Sequence, residues 1–423
     1  MDNFLQKTKL VLADRGLVRR ILFVLGILAV FRFAAAVPIP SVDQAALAQF
    51  FANNQFFGLL NIFSGGGMSN LSIVMLGVSP FITASIIIQL LTLVFPQLKD
   101  MYQEQGEAGR RKMSQYSRLL SVPLAVFQGV GLHVILTQQG IISHPTFYAQ
   151  ALSVLVVTAG SLLLMWLGEL INEYGIGNGV SMIIFAGIVA SLPSTFSQLV
   201  STYDPSLIPT YIGFIALAIV IVGGVVIITE GERPIPVTYA KRVRGMKVYG
   251  GTSTYLPIRV NNAGVMPIIF ALSILLFPQM IVNFLARAQN LAVQDISRLV
   301  TSFLENPWIY GASYFILVFA FTYFYSAVTF DPHQIAGNLQ KGGAFIPGVR
   351  PGEPTEMYIG KMLSRLTFFG ALFLGVIALL PLVMQEVTGI QALAIGGTSL
   401  LIVVSVILDL IKKVDAQVTM REY

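Results

Sequence analysis

Cysteine is absent from all 423 residues. That excludes a disulfide framework, a thiolate nucleophile and any cysteine-based metal site. Histidine is nearly absent: His133, His144 and His333 lie far apart in the chain, and each reads as an interfacial or loop residue rather than a ligand. Charge is scarce at 11%, against about 25% in ordinary globular domains. Above all, the middles of the apolar segments lack ionisable residues, Arg32 and His133 excepted. Pumps and ion-coupled carriers place relay or coupling residues at that depth. An enzyme within the membrane needs a Ser/His, paired-Asp or metal constellation, and the sequence offers none.

What is present is apolar. Some 55% of the chain is hydrophobic, in runs that approach or exceed the roughly 18 to 20 residues needed to cross about 30 Å of hydrocarbon. Ten spans are predicted: Ile21–Val37, Leu71–Phe95, Leu119–Leu136, Ala151–Leu170, Val180–Leu192, Tyr211–Ile228, Val265–Leu285, Trp308–Phe330, Leu363–Met384 and Ile390–Ile411. The first mimics a signal peptide, yet it continues past Ala34-Ala35-Ala36 and carries Arg32, so it reads as a retained helix. The fifth is short, and its approach through Gly175, Gly177 and Gly179 predicts a tucked or tilted helix. The fold class is therefore an all-α polytopic membrane protein of ten transmembrane helices.

Twenty-three of the 26 basic residues fall in the N-tail, Lys99–Arg118, Arg233–Arg259, Lys341–Arg365 and the C-tail. The positive-inside rule puts these segments and both termini in the cytoplasm, which requires an even number of spans. The net charge of +6 is thus largely topogenic. Trp308 and Tyr310 suit an aromatic belt on the far side.

An internal repeat is legible. Gly77-Val78-Ser79-Pro80-Phe81-Ile82 in the second span answers Gly264-Val265-Met266-Pro267-Ile268-Ile269 in the seventh. Ile176-Gly177-Asn178-Gly179-Val180-Ser181 at the fifth answers Ile395-Gly396-Gly397-Thr398-Ser399 at the tenth. Five spans per half is odd, so the halves, 1–205 and 206–423, are inverted pseudo-symmetric copies. Such repeats put the functional path at their interface. Equivalent positions there carry Val78, Ile82, Val180, Ile184, Ile269 and Ile402. A ring of branched apolar side chains makes a dewetting constriction with no specific polar contact. That fits a cargo of arbitrary sequence better than one defined solute. A secondary transporter of a small solute, the competing reading, would show a convergent polar site at the midplane. Ser79, Thr83, Ser85 and Gln89 could hold a separable seam between helices, or simply pack them.

Just before the second span, Phe63-Ser64-Gly65-Gly66-Gly67-Met68 is too short and glycine-rich to cross a membrane. It reads as a re-entrant element in a cavity, with the following helix as one wall. Two cytoplasmic loops, about 230–264 and 331–358, are long for a bundle. In the first, Ile235–Tyr239 and Lys247–Tyr249 flank Arg244-Gly245-Met246, which predicts a two-stranded ribbon with a tight turn. Lys241, Arg242, Arg244 and Lys247 cluster there, and prolines stiffen the tip that carries Arg350 in the second. These charges could dock an acidic partner or an RNA backbone, or only retain the loops inside. No G-x-x-x-x-G-K-[ST] motif is present, so any energy for transport comes from another protein.

Taken in order, several stretches resemble the SecY / Sec-alpha protein-conducting channel family over the whole chain, the bacterial form most. They are Pro38-Ile39-Pro40, Phe63-Ser64-Gly65-Gly66, Pro80 with Ala84–Leu91, Gly109-Arg110-Arg111-Lys112, Tyr239-Ala240-Lys241-Arg242, Gly343–Gly352 and Gly396–Ile402. The resemblance implies a passive polypeptide channel in the bacterial inner (plasma) membrane, without a cofactor. It would pass signal-sequence-bearing polypeptides and release hydrophobic segments into membrane lipid. It implies a SecE clamp and a peripheral SecG. A plug would fall at about 62–70, and the pore ring on the six aliphatic residues named above. A lateral gate would part spans two and three from seven and eight, with Thr83, Gln89 and Phe277 at the seam. The ribosome or the SecA motor would meet Lys241, Arg242, Arg244, Lys247 and, foremost, Arg350. One departure is Met246, where family members often carry a basic residue beside Lys247.

Overall fold

The computed structural model describes residues 14–39, 61, 64, 66–68, 71–104, 106–138, 140–142, 146–201, 208–239, 242–244, 247–249, 253–261, 263–264, 266–285, 295, 300, 302–303, 306–388 and 391–422. Helices stand at all ten positions where the sequence places spans. They are α1 (Arg15–Ala36), α2 (Ser79–Val94), α4 (Gly106–Gln138), α5 (Phe147–Tyr174), α6 (Gly179–Ser201), α7 (Ile208–Glu230), α8 (Met266–Leu285), α9 (Pro307–Thr329), α11 (Glu353–Thr388) and α12 (Gln391–Glu422). Two short helices, α3 (Pro96–Glu104) and α10 (Pro332–Lys341), lie between them.

Among the described residues only four helical segments are long and apolar enough to cross a membrane alone: Gly106–Thr137, Phe147–Tyr174, Pro307–Lys341 and Glu353–Val383. Ser79–Thr92, Gly179–Pro193, Ile215–Glu230 and Met266–Leu275 are shorter apolar helices. The second span shows why. Its apolar run begins at Leu71, as expected, but the helix begins only at Ser79. Leu71–Val78 is a chain of turns, with Gly77 at φ +59° and Pro80 in the first turn of α2. Proline has no N–H to give and is accommodated best in that first turn. The 16 residues of α2 therefore span roughly 24 Å, and irregular backbone completes the depth. The fifth span corrects the other way. Its apolar part does end at Pro193, but α6 continues to Ser201, because a proline inside a formed helix removes one hydrogen bond without ending it.

Within the first half of the chain α2 packs on α4, α4 on α5, and α5 on both α1 and α6. Within the second, α8 packs on α9, α9 on α11, and α12 on α7 and α11. The halves meet where α6 lies on α12 and where α8 lies on α2 and α4. A single buried core runs through all of these contacts. Ion pairs fix the helix ends that carry the basic residues: Arg118 of α4 with Glu169 of α5, and Lys412 of α12 with Glu230 at 3.0 Å. Lys412 also donates to the Thr229 carbonyl at 2.7 Å, neutralising the negative end of α7.

The loop sheet differs from its predicted form. The expected ribbon exists between β2 (Arg242–Arg244) and β3 (Lys247–Tyr249). Ile235–Tyr239, however, belongs to β1 (Glu232–Tyr239), which pairs along its length with β4 (Ser253–Arg259). The other edge of β1 takes β5 (Ala344–Phe345) from the second loop. The two loops are thus stitched into one three-stranded sheet of order β4-β1-β5. Alternation along β1 buries Ile235 and Val237 against Ile258, Ile346, Ile359 and Leu363, which seats the sheet on the first turns of α11.

Candidate functional site

The first of the two repeats seen in sequence is a repeat of backbone geometry; in the second, Gly177 (φ +98°) precedes α6 whereas Gly396-Gly397 lies inside α12. Gly77 (φ +59°) and Gly264 (φ +62°) both take left-handed conformations. Two residues after each glycine a helix begins, α2 at Ser79 and α8 at Met266, with Pro80 and Pro267 in second place. The related helices then meet in pairs, α2 with α8 and α6 with α12. These four carry the predicted aliphatic set. Ile82, Ile184, Ile269 and Ile402, with Val78 at the N-cap of α2, are at most 4% exposed and share one cluster. Val180 is half-buried and packs against the same cluster. Among the described residues no Asp, Glu, Lys or Arg side chain is buried; the buried titratable groups are His133 of α4 and Tyr314 of α9, the latter in the same cluster.

The turns that lead into α2, Leu71–Val78, are held by the chain leaving α1 and by α5. The Ile39 N–H donates to the Leu71 carbonyl (2.9 Å) and the Ile73 N–H to the Val37 carbonyl (3.0 Å), a short ladder with the chain leaving α1. The Ser161 hydroxyl of α5 donates to the Gly77 carbonyl at 2.9 Å. Beside it Gly160 lets the Ile73 backbone come so near that a Cβ there would stand 2.0 Å from the Ile73 oxygen. Of the predicted plug residues, Ser64 and Met68 are 1% exposed and Gly67 is buried. The Met68 N–H donates to Ser64 Oγ (3.0 Å), and Ser72 Oγ donates to the Gly67 carbonyl (2.8 Å). Phe63 and Gly65 lie outside the described residues.

Sequence reasoning missed Gly160 and Ser161. The signal was two adjacent small residues inside the fourth span, a pattern that also serves plain helix packing. Removing that hydroxyl with Ser161→Ala strands a buried carbonyl and costs about 1–3 kcal/mol. A lower thermal midpoint for the purified protein, restored by Ser161→Thr, is the expected result.

The polar residues of α2 do not bridge helices. Thr83 donates to the Ser79 carbonyl (3.0 Å), Thr92 to the Gln89 carbonyl (2.6 Å), and Gln89 Nε2 to Ser85 Oγ (3.3 Å). All three bonds stay within the helix. In an apolar surround a hydroxyl finds its own backbone first, so the seam-bonding expectation does not hold for these groups. Gln89 Oε1 is buried without a hydrogen-bond partner among the described residues. The seam itself is where α8, which carries Phe277, lies on α2 and α4.

At the loops, Arg242, Arg244 and Lys247 are backbone-paired in the β2–β3 ribbon, and Lys241 lies outside the described residues. Arg350 is exposed on a stiff tip. Gly348 (φ +82°) and Gly352 (φ +99°) make its turns, and the buried Thr355 hydroxyl donates to the Arg350 carbonyl at 2.8 Å. Nearby His333 Nδ1 lies 2.8 Å from Glu356, whose hydrogen bond and charge raise the imidazole pKa above its ordinary value.

Three comparisons bear on this arrangement. The SecY family model matches residues 72–411. A protein translocase subunit SecY of Synechocystis is 40% identical over 99% of this chain and 96% of its own length. One from Streptomyces coelicolor is 41% identical over 96% of this chain and 95% of its own. Among solved structures, a protein-conducting channel superposes with a TM-score of 0.64 at 19% identity, over 93% of this chain and 90% of its own. The channel of a canine ribosome–channel complex from the endoplasmic reticulum superposes at 0.60 with 17% identity, over the same shares. A study of a SecY plug domain, described as stabilising the closed channel and keeping a membrane seal, supplies a third at 0.63, with 20% identity over those same shares.

Proposed function

The chain belongs to the SecY family, and from that premise we propose that it is the channel-forming subunit of a protein translocase. It is a multi-pass membrane protein and a passive conduit, not a catalyst: unfolded polypeptides cross it and hydrophobic segments leave it sideways into lipid. The observation that carries this reading is the meeting of repeat-related helices around a buried aliphatic cluster, with no Asp, Glu, Lys or Arg buried among the described residues. Such a centre blocks ions by staying dry and yields to any extended chain. It leaves a small solute nothing to be recognised by.

In this reading the halves are 1–205 and 206–423. Val78, Ile82, Val180, Ile184, Ile269 and Ile402 form the pore ring, and residues about 62–70 form the plug. The lateral gate is the seam of α2 and α4 with α8 and α9. Thr83, Gln89 and Phe277 line it, and because the Thr83 hydroxyl and the Gln89 amide nitrogen bond within α2, neither bond breaks when it parts. The protein sits in a bacterial inner membrane with both termini in the cytoplasm. SecE and SecG accompany it, and SecA or a ribosome docks on the two loops, at Lys241, Arg242, Arg244 and Lys247 of the first and Arg350 of the second.

Reconstitution tests the whole reading. Vesicles holding this chain with its small membrane subunit should import a signal-bearing precursor when the motor and ATP are added. Precursor left outside while a small solute accumulates would favour the transporter instead. The docking site has its own test. Arg350→Glu should slow motor-driven export by about ten-fold or more with folded protein unchanged, and export at the native rate would remove Arg350 from the docking surface.

A further inference from the structure

Arg32 is the charged residue that the sequence places inside a span without giving it a task. It lies one turn before the end of α1. An arginine at that depth is costly unless it meets polar partners or reaches the interface. Its guanidinium carbon stands 5.9 Å from the ring centre of Phe31, a fully buried side chain. More telling, Nη1 lies 3.5 Å from the point that a Cβ on Gly66 would occupy. Gly66 is in the proposed plug, at φ +82°. The backbone there is folded into tight turns: the Gly66 N–H donates to the Asn61 carbonyl (2.9 Å) and the Gly67 N–H to the Ser64 carbonyl (3.3 Å). Turns of this kind present carbonyl oxygens outward, and a guanidinium brings five donors on a planar fork. Glycine at 66 takes the left-handed backbone, and a Cβ there would meet the guanidinium at ordinary van der Waals distance.

We propose that Arg32 is a latch that positions the plug. It holds the glycine turn against the end of α1, so that displacing the plug must break the contact. The proposal rests on the plug reading above. It assigns Arg32 a role in sealing, distinct from an anchor that merely sets the depth of α1.

The test is resting conductance of the intact translocase in planar bilayers. Four channels are compared: native, Arg32→Gln, a deletion of residues 62–70, and both changes together. Arg32→Lys is added as the conservative variant. Arg32→Gln should raise resting openings about ten-fold, the loss of one charge-assisted contact. Arg32→Lys should recover much of the seal, and Arg32→Gln should add nothing once the plug is deleted. Arg32→Met removes the charge and keeps the apolar stem, so it carries the test if the amide variant does not assemble. Charge-removed channels as tight as native, beside a leaking plug deletion, would overturn the latch and leave the plug. Equal added leak with or without the plug would overturn it too. A plug deletion that does not leak at all would overturn the plug reading, and the latch with it.

Discussion

Serine at both Ile82 and Ile184 should raise the resting ion leak of reconstituted vesicles by about ten- to a hundred-fold per channel. Ile82 is 4% and Ile184 0% exposed, on α2 and α6, within the one cluster that holds the rest of the proposed ring. Burial of an isoleucine side chain is worth about 1.5–3 kcal/mol. Two hydroxyls in place of two butyl groups therefore shift the balance between dry and wet by a few kcal/mol at the proposed ring. The same exchange also opens cavities, at about 2–5 kcal/mol per site, so destabilisation must be separated from leak. Ile171→Ser is the control. Ile171 is as buried as Ile184, in the same core, but on α5 outside the repeat-related set. It should lower the thermal midpoint and leave conductance per channel at the native level. Equal leak from both variants, or none from the pair, would take the ring assignment away.

The largest stability effects should come from two glycines rather than from any large side chain. A Cβ on Gly179 would stand 1.8 Å from the Gly168 carbonyl oxygen, and one on Gly160 2.0 Å from that of Ile73. Both obstacles are backbone, so no rotamer change relieves them. Gly179→Ala must push α6 off α5, and Gly160→Ala must push the re-entrant turns off α5. Each should cost about 3–5 kcal/mol or prevent assembly. Gly160→Ala should also leak when it does assemble, because Leu71–Val78 carries the chain from the proposed plug into α2. Gly26→Ala and Gly223→Ala are the contrast: nothing lies within 4 Å of either added Cβ, so both should be neutral or slightly stabilising. Thermal melting and the amount of protein in membranes read all four. If Gly179→Ala and Gly26→Ala melted alike, the close approach of α5 and α6 would be refuted.

The legible parts share one cause. Hydrophobic runs report membrane depth directly, and every predicted span has its helix. The Gly-x-Ser-Pro and Gly-x-Met-Pro starts were legible because glycine and proline restrict backbone whatever surrounds them. Errors arose where a distant partner decides the outcome. Ile235–Tyr239 has the pattern of a strand, but nothing near it announces β4 as one neighbour and β5, a hundred residues on, as the other. Thr83 and Gln89 have the chemistry to bond across a seam, yet they bond within α2, and sequence cannot distinguish the two.

By itself, then, the sequence determined the membrane habit, the places of the ten helices and the glycine–proline starts of α2 and α8, because each depends on local composition and period. Only the tertiary structure decided that α2 meets α8 and α6 meets α12. It alone showed that the turns before α2 hang from Ser161 and Gly160, that the two loops share a sheet, and that Arg32 reaches Gly66. These are contacts between residues dozens to hundreds of positions apart. Their free energy depends on shape and distance in space, which a linear pattern of residue types does not encode.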